Sequence, residues 1–324
     1  MTNDPLAFAS IRELGRGLRS RETTPTILAE FFIERLETVG RRLNAVVTVT
    51  RERASREARL AEAELAAGLD RGPLHGIPYG VKDLFAAAGA PTTWGAEPLR
   101  EQVFPDDATA VARLRNAGAV LIAKLAMVEL AGGMGYNQPN ASLTGPGISP
   151  WNLDAWSGGS SSGSGSAVGA GCVPFALGSE TWGSIITPAS YCGVSGLRPT
   201  YGRVSRRGAM ALSWTMDKIG PMARNADDCG LVLDAIAGPD RDDPTTLVAH
   251  YRYDPTRERN GGFRIGVLRE ELDQMQSEVR GNFEQSLGIL AAFGTIEDVA
   301  LPEHPYGDAA TVILRAEAAA SMEE

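Results

Sequence analysis

Apolar positions recur at helical spacing near both ends of the chain and in short runs between them. Ile27, Phe31 and Leu36 share one side of a 3.6-residue helix, and Thr24-Pro25 offers a hydroxyl cap followed by proline at the first helical position. Residues 6–41 therefore predict two helices. Asn-Ala-Val-Val-Thr-Val at 44–49 predicts a short buried strand, and the Arg/Glu/Ala-rich stretch 50–68 a helix with a solvated charged face. Gly72-Pro73 ends that helix. Residues 76–85 then predict a strand with a lysine near its end. Asp106-Asp107 predicts the cap of a helix that carries Val111 and Leu114 and stops at Gly118. Residues 119–123 predict the next strand. Asn225 caps a further helix running to Ile236, with Gly238 as its stop. Phe263, Ile265 and Val267 alternate as a strand does, and Val279, Phe283, Leu287 and Leu290 form a helical stripe. A strand at 295–299 and a helix at 308–321 follow. Strands alternating with helices predict an α/β sheet rather than a bundle. The polar, turn-rich stretch 238–262 reads as a long surface excursion.

Composition narrows the picture. The 324 residues are 43% hydrophobic and 22% charged, which excludes a wholly disordered chain. No run of about 18 apolar residues is present, so no membrane-spanning helix is expected. A net charge of −9 argues against a broad nucleic-acid footprint. Cys172, Cys192 and Cys229 make an odd count in a long chain, which fits a reducing, cytoplasmic setting and small buried thiols. No CxxC pair exists and His75, His250 and His304 stand apart, so no metal site is expected; His75 reads as a structural, hydrogen-bonded group. Glycine is in excess, with 37 residues, many of them crowded between Gly132 and Gly202. Val168 and Val173–Leu177 interrupt that stretch, which sets it apart from a free linker.

Three segments carry the chemistry: Gly80-Val81-Lys82-Asp83, the serine–glycine run from Ser157 to Ser166, and Gly178-Ser179-Glu180-Thr181-Trp182-Gly183-Ser184-Ile185. Each alone is a weak signal. Together, and with Cys192-Gly193-Val194, Gly196-Leu197-Arg198-Pro199-Thr200-Tyr201-Gly202-Arg203-Val204-Ser205 and Asp217-Lys218-Ile219-Gly220-Pro221-Met222, they resemble the amidase signature family over roughly residues 20–300. The 24-residue step from Ser160 to Ser184 agrees with that resemblance.

The resemblance implies an α/β/α sandwich around a mixed β-sheet and a Ser-cis-Ser-Lys triad. Ser184 would be the nucleophile, Ser160 the bridging serine and Lys82 the base. Backbone N–H groups of Thr181, Trp182, Gly183 and Ser184 would line an oxyanion hole. Gly158, Gly159 and Ser161 would support the Ser160 loop. The physical logic is consistent: a serine hydroxyl needs a neighbour to take its proton, and burial brings a lysine towards neutrality. The implied reaction converts a carboxamide to a carboxylate and ammonia or an amine through a seryl acyl-enzyme. It needs no metal or organic cofactor. The implied partner is a small-molecule amide, with no nucleic acid held directly and no membrane; a homodimer is left open.

The chain departs from the family's common Asp-Thr-Gly-Gly-Ser-Ile-Arg segment at three places. Glu180 stands for the aspartate, Trp182 for a glycine, and Ile186 for the arginine, so an ion pair at that arginine is expected to be lost. Trp182 either narrows the acyl pocket or packs outward. The family pattern continues beyond Glu324, so one domain, 1–324, is expected, with N-terminal helices at 6–68, a catalytic core at 72–237 and an incomplete C-terminal portion at 238–324. Four other readings compete. An α/β-hydrolase would use Ser161 in Gly159-Ser160-Ser161-Ser162-Gly163 with His250 or His304 as base, but no apolar strand precedes that motif. A phosphate cradle would need a lysine that the Gly/Ser run lacks. A non-catalytic scaffold or inactive truncated amidase is the third. The fourth is a glutamine-hydrolysing subunit of a tRNA-dependent amidotransferase.

Overall fold

A computed structural model describes residues 5–132, 138–249, 251–256 and 262–323. The chain divides into two compact units, residues 1–253 with 313–324, and residues 254–312.

The first unit opens with helix α1 (Ile11–Ser20), whose Ser10 cap forms a reciprocal box with Glu13. Helix α2 (Pro25–Arg35) begins at the expected Thr24-Pro25 signal, with the Thr24 hydroxyl accepting from Ile27 N–H at 3.3 Å. Its buried face differs from the expected one. Leu28, Ala29, Phe32 and Ile33 face the core, continued by Leu36, while Ile27 is exposed. Strand β1 (Val46–Val49) and helix α3 (Arg51–Ala66) follow as the pattern predicts.

Strand β2 (Pro78–Lys82) is buried along its whole length. Helix α4 (Thr109–Asn116) has Ala108 at its N-cap and no side-chain cap bond. Asp107 is used elsewhere: it accepts from Arg53 Nη1 and Nη2 at 2.7 and 3.0 Å, from Arg115 at 2.6 Å and from Ala88 N–H at 2.9 Å. Charge pairing won over capping there because Arg53 is itself nearly buried. Strand β3 (Val120–Leu125) is fully buried.

The glycine-rich region folds into helix α5 (Ser162–Gly169), strand β4 (Phe175–Glu180), helix α6 (Ile186–Cys192) and a short strand β5 (Ser195–Gly196). Strand β6 (Lys218–Ala223) and helix α7 (Ala226–Ile236, capped by Asn225) complete the sheet unit. The order is β1-β3-β2-β4-β6-β5. The β2 strand lies parallel to both β3 and β4, while β1, β6 and β5 run antiparallel to their neighbours. Helices α2 and α3 pack on β3, α5 on β2, β3 and β4, and α7 on β6. This is the mixed α/β architecture that the resemblance implied.

Strands β7 (Phe263–Val267) and β8 (Gly294–Asp298) form a separate parallel pair, joined through helix α8 (Ser277–Leu290). Helix α9 (Tyr306–Ser321) ends the described chain. Among the described residues, no helix is long and apolar enough to cross a membrane.

Candidate active site

The parallel β2/β4 pair sets the site. Register aligns Val81 with Leu177, so Lys82 lies at the end of β2 beside the last residues of β4. Lys82 is completely buried. Its Nζ lies 2.6 Å from Ser160 Oγ and 3.0 Å from Ser179 Oγ. Burial drives its pKa down from the ordinary lysine range to about 7, against the pull of the Asp217 and Glu180 charges.

Ser160 reaches this position from the loop before α5. The Gly159–Ser160 peptide is cis. Gly158, at φ +75°, has no room for a side chain, because a Cβ would fall 3.0 Å from Pro188 Cα. Ser161 ties three segments together. Its N–H donates to Ser184 O at 3.2 Å, its hydroxyl donates to Ser179 O at 3.2 Å, and it accepts from Ser179 N–H at 3.4 Å. Ser161 is thus committed to the main chain, and no strand is described immediately before it. Of the two histidines in the α/β-hydrolase reading, His250 lies outside the described residues.

Ser184 sits in the loop between β4 and α6 and is buried. Carbonyls pin this loop. Thr181 O accepts from Lys218 Nζ at 3.0 Å, and Gly183 O from Thr187 N–H at 2.7 Å. In a trans peptide the following N–H points the opposite way, so the Trp182 and Ser184 amides face away from Lys218 and Thr187. Gly183 adopts φ +98°, which a side chain would resist. The Trp182 side chain is half exposed, at 49%.

Ile186 brings no cation to this loop, and Glu180 is held by other groups. The Glu180 carboxylate accepts from Ile185 N–H at 2.8 Å and Ile186 N–H at 2.9 Å, and Arg198 Nη1 approaches it at 3.3 Å. That cation comes from the β5–β6 connection.

Two further groups belong to the quoted motifs but had no role assigned from sequence. Asp83, next to Lys82, forms a buried ion pair with Lys124 of β3 at 2.7 Å and accepts from Thr93 N–H at 3.0 Å. Asp217 accepts from Thr181 Oγ1 at 2.5 Å and from Leu212 and Ser213 N–H at 2.9 and 3.0 Å. The clue to Lys124 was a charge inside an apolar run. A cavity of about 300 Å³ opens beside Ser179 and Thr181, walled by Leu84, Met210, Leu212 and Ile219. His75 is remote in role: it accepts from Arg71 N–H at 3.1 Å and pairs with Glu64 at 3.1 Å before β2 begins.

Comparison with known proteins shows the family and the fold. A family model described as Amidase matches residues 28–324. The A subunit of glutamyl-tRNA(Gln) amidotransferase from Anaeromyxobacter dehalogenans is 40% identical over 98% of this chain and 65% of its own length. Its counterpart from Moorella thermoacetica is 42% identical over 93% of this chain and 62% of its own length. Native peptide amidase from Stenotrophomonas maltophilia superposes with a TM-score of 0.87 at 34% identity, covering 98% of this chain and 68% of that one. The chain therefore spans less than two thirds of the length of the two curated relatives.

Proposed function

This chain belongs to the amidase family, and from that premise we propose that it hydrolyses a carboxamide to a carboxylate and ammonia or an amine. Ser184 Oγ attacks the amide carbon while its proton passes through Ser160 to Lys82. The oxyanion forms against the backbone N–H groups of Thr181, Trp182, Gly183 and Ser184, where loss of one donor costs about 3 kcal/mol. The Lys82 ammonium returns the proton through Ser160 to the leaving nitrogen as the C–N bond breaks. Water then attacks the acyl-enzyme by the same proton route, releasing the carboxylate and restoring Ser184. The observation that carries this reading is a completely buried lysine, with a pKa near 7, at 2.6 Å from a serine hydroxyl. An amine poised near neutrality can take and return a proton within one turnover.

A fluorophosphonate probe with peptide mapping tests the assignment. Wild-type protein is expected to be modified at Ser184, and Ser184→Ala to lose labelling and at least about 10³-fold of any amide turnover. Labelling at Ser161, or turnover that survives Ser184→Ala, overturns it.

A second reading is favoured by the relatives that are A subunits of glutamyl-tRNA(Gln) amidotransferase. On that reading the same triad hydrolyses glutamine within an assembly of several chains. Hydrolysis of simple primary amides by the isolated chain favours the stand-alone amidase. Glutamine hydrolysis that appears only with a copurifying partner favours the amidotransferase assembly.

A further inference from the structure

We propose that Ser179 is a positioning residue that aims the Lys82 amine at Ser160. The inference rests on the triad reading above. A neutral amine has one lone pair and two N–H donors. To take a proton from Ser160, Lys82 must turn its lone pair to Ser160 Oγ, which leaves two N–H groups to be placed in a buried site. Ser179 Oγ, at 3.0 Å, accepts one of them and stops rotation about the Cε–Nζ bond.

Ser179 is built to hold still. It is the penultimate residue of β4, paired with Ile219 of β6. Its N–H and C=O are both held by the Ser161 hydroxyl. Ser161 also holds the Ser184 carbonyl through its own N–H. One loop therefore fixes the positioning hydroxyl and the nucleophile's main chain together. Ser179 also borders the 300 Å³ cavity, which Lys82, Ser160 and Ser184 do not line. The residue that holds the amine thus also lines open space. Without the hydroxyl, the Lys82 head group gains room to turn away from Ser160.

Loss of this hydroxyl leaves a signature that simple damage lacks. A hydroxyl that accepts from lysine favours the protonated form, so its removal pushes the Lys82 pKa further down. Ser179→Ala is expected to lower the plateau rate of fluorophosphonate labelling at Ser184 by about 10- to 100-fold. At the same time the acid limb of the pH profile moves to lower pH by about half a unit or more. Ser179→Thr keeps the hydroxyl and is expected to restore both. A wild-type plateau and limb in Ser179→Ala, or Thr behaving as Ala, overturns the proposal.

A second readout is independent of reactivity. The chain has only three lysines, Lys82, Lys124 and Lys218. A carbon-13 NMR titration of Lys82 Cε, assigned by the resonance missing in Lys82→Met, reports its pKa directly. A lower midpoint in Ser179→Ala supports the inference and an unchanged one overturns it. Absence of wild-type labelling would count against the triad reading, and the titration would still decide the role of Ser179.

Discussion

At the scale of the residue, Lys82 carries a cost that can be measured apart from catalysis. Its folded pKa of about 7 lies below the ordinary value of ~10.4. Between those values the unfolded chain binds more protons than the folded one, so stability rises with pH across the window. Below pH 7 the full penalty applies, about 4–5 kcal/mol. At pH 9 about 2 kcal/mol remains. Lys82→Met is therefore expected to be inactive yet more stable than wild type at pH 6, with the gap narrowing by pH 9. Chemical denaturation at both pH values checks this, and equal gaps would show that Lys82 is not the source of the cost. The same titration sets the activity: a base must be neutral, so labelling at Ser184 should rise with pH through about 7. Lys82, Ser160 and Ser184 were legible in sequence because ordered motifs surround them. Ser179, Lys124 and Asp217 were not. The role of Ser179 depends on which way alternate side chains point at the end of β4, and that of Lys124 on register with β2.

At the scale of the element, periodicity read most of the first half correctly and failed where two signals competed. Thr24 and Asn225 act as caps because nothing else claims their side chains as strongly. Asp107 offered the same cap signal and lost it to Arg53 and Arg115. The consequence is testable. Removing Asp107 leaves Arg53 with Glu57 alone as carboxylate partner, at 2.8 Å, and takes the acceptor from Ala88 N–H and Arg115, a loss of about 1–3 kcal/mol. Asp107→Ala is expected to destabilise by that amount, read as a drop in thermal midpoint. Asp106→Ala, at an exposed neighbour, should stay within about 0.5 kcal/mol. Similar small effects for both would mean that Asp107 is a surface cap after all. Helix α6 and strand β6 escaped the periodic reading for another reason. Helix α6 has only seven residues, and β6 contains both Gly220 and Pro221. Its identity comes from the ladder with β4, where Gly178 faces Gly220 and Leu177 faces Pro221. No local preference could have supplied that pairing.

At the scale of the whole molecule, the two units are built to different standards. The first has a six-stranded sheet whose strands β2 and β3 are buried from end to end. Among the described residues, 254–312 have one parallel pair of strands. Among their described residues the buried apolar side chains are Val267, Leu272 and Leu287, while Phe263, Ile289, Phe293 and Leu301 are exposed. Periodicity alone did not announce this contrast, because β7, α8 and β8 have the same alternation and stripe as better-buried elements. Pattern reports which face is apolar, not how much of it is covered. A two-stranded sheet with a small core is marginal on its own, and parallel pairing is slightly the weaker kind. Local opening free energy follows the number of buried contacts that must break. Amides of β7 and β8 are therefore expected to exchange with solvent deuterium at least about 10²-fold faster than those of β2, β3 and β4 under native conditions. Equal protection in the two sets would show that residues 254–312 open only when the main sheet does. The exchange experiment would then report one cooperative unit, with the stability of β7 and β8 set by the sheet that holds Lys82.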